Sequence, residues 1–141
     1  MSVIVKTKIL NSKAVSPESK TNGAAAFDLT ATSVRLDRAN NATIFGIGLA
    51  FEIPKGYAMF IYPRSSSFKY NADFTNSVGV IDSDYRGEVH VMFKGLNVGY
   101  NLGDRIAQAI VMPIPEVQYV QAESLSETER GDGGFGSTGN K

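Results

Sequence analysis

The amino-acid sequence predicts an all-β fold, a sandwich or barrel of short strands. Three observations carry that expectation. Apolar residues recur at every second position through the body of the chain. Prolines and turn residues interrupt the pattern roughly every 8–12 residues. Only Ser65–Tyr70 has the composition for a helical turn or two.

In chain order, Val3–Ile9 alternates Val3, Val5, Thr7 and Ile9 with Lys6 and Lys8. Thr43–Ile53 is the longest run, with Thr43, Phe45, Ile47, Leu49, Phe51 and Ile53 against the small or polar Gly46, Gly48, Ala50 and Glu52. That reads as one half-buried strand. Tyr57–Tyr62, Ile106–Met112 and Val117–Gln121 are shorter candidates, bounded by Pro54, Pro63, Pro113 and Pro115. Between them, Asn76–Glu88 reads as a hairpin: a strand through Val78, Val80 and Ile81, a turn at Ser83-Asp84-Tyr85, and a return strand over Gly87–Phe93. Gln121–Arg130 is polar and acidic with Leu125 as its one large apolar residue, so nothing there offsets the cost of ordering. The expected organisation is a β domain over residues 1–120 and a glycine-rich C-terminal arm over 121–141.

Composition narrows the function. A chain of 141 residues and 15.2 kDa suits one domain with a core that needs no staples. Without cysteine, disulfides, thiolate zinc sites and a cysteine nucleophile are excluded, and a single histidine excludes a histidine-rich metal centre. Lys+Arg and Asp+Glu both number 14, which disfavours a strongly basic nucleic-acid-binding protein. No apolar run approaches the ~20 residues of a membrane span, and Met1–Lys6 has no signal-peptide character. The expectation is a soluble, cytoplasmic protein with neither nucleic acid nor membrane as partner.

Five of the 14 glycines fall at positions 131, 133, 134, 136 and 139. The run Gly131–Gly136 matches a dinucleotide-binding pattern, but it lacks the following helix that the chemistry needs. Backbone N–H groups freed by glycine, with Arg130 and the Ser137 and Thr138 hydroxyls, can instead wrap an anion. Phe135 inside that run suits a base-stacking lid better than an idle tail. Pro63-Arg64-Ser65 after a strand is either a second anion seat or a capped short helix. The carboxylates Asp82 and Asp84 fit turn chemistry as well as catalysis. Asp104-Arg105 reads as a structural ion pair, and His90, alternating with core valines, as a structural histidine.

Five segments then occur in order: Ala24–Leu29, Pro63-Arg64-Ser65, Asn76–Gly87, Gly103–Gln108 and Arg130–Gly139. Together they resemble the five ordered motifs of the trimeric dUTPases (deoxyuridine triphosphate nucleotidohydrolases), from about residue 24 to the C-terminus. Ala26 and Phe27 depart from the family's Gly-Tyr in the first motif, and Ser66-Ser67-Phe68 from its Gly-Leu-Ala in the second. Asp28, Arg64 and Ser65 are kept.

The resemblance implies a jelly-roll-like subunit, a homotrimer with sites at its interfaces, and Mg²⁺-dependent hydrolysis of dUTP to dUMP and pyrophosphate. That activity keeps uracil out of DNA and supplies dUMP for thymidylate synthesis. By the same resemblance, Asp82 is the general base for water attack on the α-phosphorus, and Asp28 holds through water a Mg²⁺ carried mainly by the triphosphate. Arg64, Ser65, Ser66 and Gln108 meet phosphates, and Tyr85 packs under the deoxyribose. Asn76, Gly79, Val80, Ile81 and His90 read the uracil. From the arm, Phe135 stacks on the base while Arg130, Gly136, Ser137 and Thr138 close on the γ-phosphate. The competing readings are a dCTP deaminase-like or bifunctional nucleotide enzyme, and a dUTP-responsive regulatory protein.

Overall fold

Alternation turns the apolar residues inward, so the sheets form layers around one core. The computed structural model describes residues 2–18 and 21–140. Nine strands carry those layers: β1 (Lys6–Ile9), β2 (Phe27–Thr30), β3 (Ser33–Asp37), β4 (Ala42–Gly46), β5 (Leu49–Glu52), β6 (Tyr57–Tyr62), β7 (Gly79–Ile81), β8 (His90–Lys94) and β9 (Arg105–Pro113). A 3₁₀ turn at Ser67–Tyr70 is the one helical element among the described residues. All pairings are antiparallel, in sheets ordered β2-β9-β6-β7, β3-β4-β8 and β1-β5. The all-β expectation is borne out.

Between the layers lie Leu29, Phe45, Leu49, Met59, Val89, Phe93 and Ile106, all fully buried. Phe93 is the hub, edge-on to Phe45 at 5.9 Å and to Phe74 at 5.2 Å between ring centroids. Burying each such side chain contributes about 1.5–3 kcal/mol. Val89, Val91 and Phe93 point inward while His90 and Met92 point out, as the period of two requires.

The structure corrects three expectations. Thr43–Ile53 is two strands in different sheets, β4 beside β3 and β8, and β5 beside β1. The chain changes sheet at Gly48, whose φ of +70° suits glycine and where a Cβ would sit 2.6 Å from the Asn11 amide. Nor is this run half-buried. Every residue of β4 is buried, because Gly46 makes room on its outer side for Ser33 and the Glu88 carboxylate.

The hairpin over Asn76–Glu88 has its turn, with the Tyr85 N–H donating to the Asp82 carbonyl at 3.2 Å. Its arms do not pair, however. β7 joins β6 and β8 joins β4, so the two arms splay between sheets. Finally, Val117–Gln121 forms no strand and is exposed throughout, having no partner among the described residues of its own chain. β2 and β3, which the alternation does not announce, are short, and β3 is largely exposed.

Candidate active site

Sheet register puts one row of side chains at one end of the four-stranded sheet: Asp28 on β2 faces Gln108 on β9, which faces Tyr62 on β6. Arg64 follows directly after β6 and turns back onto that row. Its Nε donates to Asp28 Oδ1 at 2.9 Å, while Arg105 donates to Asp28 Oδ2 at 3.2 Å. Arg64 also reaches the Ser66 hydroxyl at 3.4 Å and the Arg105 carbonyl at 3.3 Å. Gln108 Nε2 donates to the Pro63 carbonyl at 3.0 Å, which fixes the loop carrying Arg64 and Ser65. Two guanidiniums share one carboxylate here, leaving a net positive seat with the exposed Ser65 hydroxyl beside it. Such a seat suits an oligophosphate.

The splayed arms of β7 and β8 frame a narrow slot of about 40 Å³, lined by Asn76, Gly79, Val80, Ile81 and His90 with Phe74 at its back. That volume takes the edge of a planar ring rather than a whole ligand. His90 is anchored at both ring nitrogens, with Nε2 2.8 Å from the Glu88 carboxylate and Nδ1 3.1 Å from the Glu88 carbonyl. Glu88 also accepts the Gly48 N–H at 3.1 Å, so the slot is tied to the corner between β4 and β5.

Beyond the slot, Tyr85 folds over Gly87 and donates its hydroxyl to the Glu88 carbonyl at 2.9 Å. A Cβ on residue 87 would lie 2.5 Å from that hydroxyl, so only glycine accommodates the pose. Arg86 grips the turn from outside, donating to the carbonyls of Ser83 at 2.6 Å and Tyr85 at 3.2 Å. It braces the turn within its own chain. Asp82 is exposed on a groove of about 890 Å³ shared with Lys55, Tyr57, Asp84, Arg86 and Glu116.

The predicted site residues therefore fall into separate groups. Antiparallel pairing sets Ile81 against Met59 and Gly79 against Ile61, so Asp82 lies level with the start of β6. Arg64 lies past its far end. Four residues of β6, from Ala58 to the Tyr62 row that Arg64 turns back onto, separate those levels by roughly 13 Å. One copy of the chain does not bring Asp82 to the guanidinium seat.

The third group is the arm, exposed from Ile114 to Asn140 apart from Gly133 and Gly134. It folds on itself through Arg130 Nε to the Gly133 carbonyl at 2.9 Å and Gly131 N–H to the Thr128 hydroxyl at 3.0 Å. Arg130, Phe135, Gly136, Ser137 and Thr138 line its own cup. Phe135 has φ +52° and a fully exposed ring, an unfavourable conformation for an aromatic residue with no covering partner in its own chain.

A family model described as dUTPase matches residues 12–139. The chain is 42% identical to the deoxyuridine 5′-triphosphate nucleotidohydrolase of Nautilia profundicola, covering 96% of this chain and 98% of that protein. It is 43% identical to the enzyme of the same name from Yarrowia lipolytica, covering 96% and 88%. The chain belongs to the dUTPase family. Its fold also matches the Staphylococcus bacteriophage 80alpha dUTPase solved with dUPNHPP, at a TM-score of 0.82 and 24% identity over 97% of this chain and 99% of that one.

A solved dUTPase of phage phi11 coordinates a structural Mg(II) ion; it matches this fold at a TM-score of 0.71 and 22% identity over 86% of this chain and 97% of that one. No cluster of three or more His, Cys, Asp or Glu exists among the described residues, and both Asp28 oxygens already accept from arginine. A resident, directly ligated ion does not fit that donor set. A carboxylate has about four lone-pair sites, so Asp28 keeps capacity for a water on an ion whose main ligands are phosphate oxygens. Sequence reasoning missed Glu88 as the anchor of His90. Its signal was Gly46, a small residue in a strand where another side chain must approach.

Proposed function

We propose that this dUTPase hydrolyses dUTP to dUMP and pyrophosphate at sites completed between copies of a homotrimer. The observation that carries the reading is the split of complementary chemistry along β6. A positive seat for phosphates stands at one end and an exposed carboxylate at the other. Neither half serves a nucleoside triphosphate alone.

In the assembled site, Arg64, Ser65, Ser66 and Gln108 hold the phosphates and Asp28 keeps the guanidiniums aimed. Asp82 from another copy orients a water and takes its proton as the water oxygen attacks the α-phosphorus. The bond from that phosphorus to its bridging oxygen breaks, and pyrophosphate leaves. Phosphoryl transfer depends chiefly on positioning and charge stabilisation, so a carboxylate of ordinary basicity is sufficient. Magnesium carried by the triphosphate would supply charge neutralisation, and Asp28 would hold it through water.

Selectivity comes from shape. The narrow slot of Asn76, Gly79, Val80, Ile81 and His90 takes uracil and rejects the thymine methyl by clash and cytosine by mismatched donors. Tyr85 under the deoxyribose leaves no room for a 2′-hydroxyl. Phe135 covers the base when the arm closes, while Arg130, Gly136, Ser137 and Thr138 wrap the γ-phosphate. The polar stem of about ten residues spans up to roughly 33 Å when extended, enough to reach a neighbour.

A nucleotide panel tests this. Pyrophosphate release should appear with dUTP and magnesium, and fall sharply with dTTP, dCTP, UTP or omitted magnesium. Comparable release from all four nucleotides, or none from dUTP, overturns the reading.

A further inference from the structure

Two selective surfaces of the site converge on one residue, Glu88. Its backbone carbonyl accepts the Tyr85 hydroxyl at 2.9 Å and lies 3.1 Å from His90 Nδ1. Its carboxylate lies 2.8 Å from His90 Nε2 through one oxygen and accepts the Gly48 N–H at 3.1 Å through the other. Whichever ring nitrogen of His90 carries the proton, the acceptor it meets belongs to Glu88. Tyr85 is the side chain proposed to lie under the deoxyribose, and His90 lines the slot proposed for uracil. Glu88 holds both.

The carboxylate has a built seat. Main chain on either side of Gly48 pairs with Val89: the Val89 N–H donates to the Leu49 carbonyl at 3.0 Å, and the Ile47 N–H to the Val89 carbonyl at 3.2 Å. Gly48, at φ +70°, turns out of that ladder, and its N–H is met by the Glu88 side chain instead. Gly46 leaves the space. A Cβ there would lie 2.7 Å from Glu88 Oε2, the oxygen that faces His90. With its side chain 24% exposed, Glu88 is largely shielded from water, so its hydrogen bonds are stronger than those of a surface carboxylate. The neighbouring turn closes without it, through the Tyr85 N–H on the Asp82 carbonyl at 3.2 Å and Arg86 on the Ser83 carbonyl at 2.6 Å.

Resting on the function proposed above, we infer that Glu88 is the positioning residue through which base and sugar selection are set together. Its side chain fixes residue 88 to the corner between β4 and β5, and its carbonyl then fixes where the Tyr85 ring stands under the sugar. The same carboxylate sets the His90 ring against the slot. Rejection of cytosine and rejection of a 2′-hydroxyl are therefore coupled in this chain. Glu88 acts through Tyr85 and His90 and need not touch the substrate.

The test uses the full-length enzyme and the variants Glu88→Ala, Glu88→Gln, His90→Ala and Ile47→Val. Two preferences are measured, dUTP over dCTP and dUTP over UTP, as ratios of kcat/KM from pyrophosphate release. Calorimetric titration with dUMP, dCMP and UMP reads the same two preferences without turnover. Glu88→Ala should lower both about tenfold. Glu88→Gln keeps an acceptor for Gly48 and an amide partner for His90, and should restore both. His90→Ala should lower the base preference alone, because Tyr85 keeps its partner. Ile47→Val trims the buried core at the same corner and should lower the melting temperature while both preferences hold. If Glu88→Ala does not assemble, Glu88→Asp, which withdraws the carboxylate by one methylene, takes its place with the same expectation. Unchanged preferences, loss of one preference alone, or equal losses in Ile47→Val would overturn the inference. So would a Glu88→Gln variant as indiscriminate as Glu88→Ala, since it keeps the contacts. Absence of dUTP turnover with both preferences intact by calorimetry would instead overturn the hydrolysis reading, and the titrations would still decide the role of Glu88.

Discussion

Separation of Asp82 from Arg64 by the length of β6 makes a quantitative prediction about mixed assemblies. Asp82 lies level with Ala58, and the row that Arg64 turns back onto stands four residues further along β6, roughly 13 Å away. A general base works within about 3 Å of the proton it takes, and on the proposed reading the two act on one substrate from different copies. Asp82→Asn removes the base, and Arg64→Ala removes the guanidinium that both Asp28 and Ser66 engage. Each variant alone should lose about two or more orders of magnitude in turnover. Unfolded together in equal amounts and refolded, they assemble at random. A site is then intact when its Asp82 comes from the Arg64→Ala copy and its Arg64 from the Asp82→Asn copy. Each choice has a chance of one half, so about one site in four is intact and activity should return to roughly a quarter of the wild-type value. Pyrophosphate release reads the activity, and native mass spectrometry confirms that mixed trimers formed. Mixed trimers without activity would refute the reasoning and place the whole site in one chain.

The remaining predictions concern parts of the scaffold. Gly87→Ala places a Cβ 2.5 Å from the Tyr85 hydroxyl and displaces the ring, so UTP hydrolysis should rise several-fold relative to dUTP; a constant ratio would remove Tyr85 from sugar discrimination. Gly48→Ala strains a φ of +70° and meets Asn11 at 2.6 Å, and should cost about 1–3 kcal/mol by denaturant titration; an unchanged midpoint would show that the corner relaxes freely. The Glu52 carboxyl is held below its ordinary 4.5, first by its hydrogen bond to Lys6, then by the Lys6 charge and Arg86. A depressed carboxyl stabilises the fold above its unfolded value and loses that contribution as pH falls through the folded one. The Lys6→Met variant should therefore differ from wild type at neutral pH, by a small, salt-sensitive amount because the pair is exposed, and converge with it as pH falls below 4.5. Parallel curves at all pH values would reject the linkage.

Legibility followed the physics of each element. Tyr57–Tyr62 and Ile106–Met112 were readable because both belong to the four-stranded sheet and are bounded by proline or glycine signals. Thr43–Ile53 was misread because alternation continues through the Gly48 corner. Period two reports which way side chains point, and it is silent about which sheet receives them. The splay of β7 from β8 was hidden for a related reason. The turn at Asp82–Tyr85 is local chemistry, whereas the partners Met59–Ile61 and Ala42–Gly46 are distant in sequence.

The candidate site could be named in the sequence as a set of residues and not as a place. Asp28, Arg64 and Gln108 lie 36 to 80 positions apart, yet strand register makes them neighbours. Asp82 is only 18 positions from Arg64 and stands at the opposite end of the same strand. Proximity in sequence thus points the wrong way for the pair that the proposed mechanism joins at one site. Phe135 makes the complementary case from the arm. Its left-handed backbone and uncovered ring disfavour it in an isolated chain, and they become useful only if a nucleobase or a neighbouring subunit supplies the missing contact. In a single chain, the cost of such a residue appears without its function.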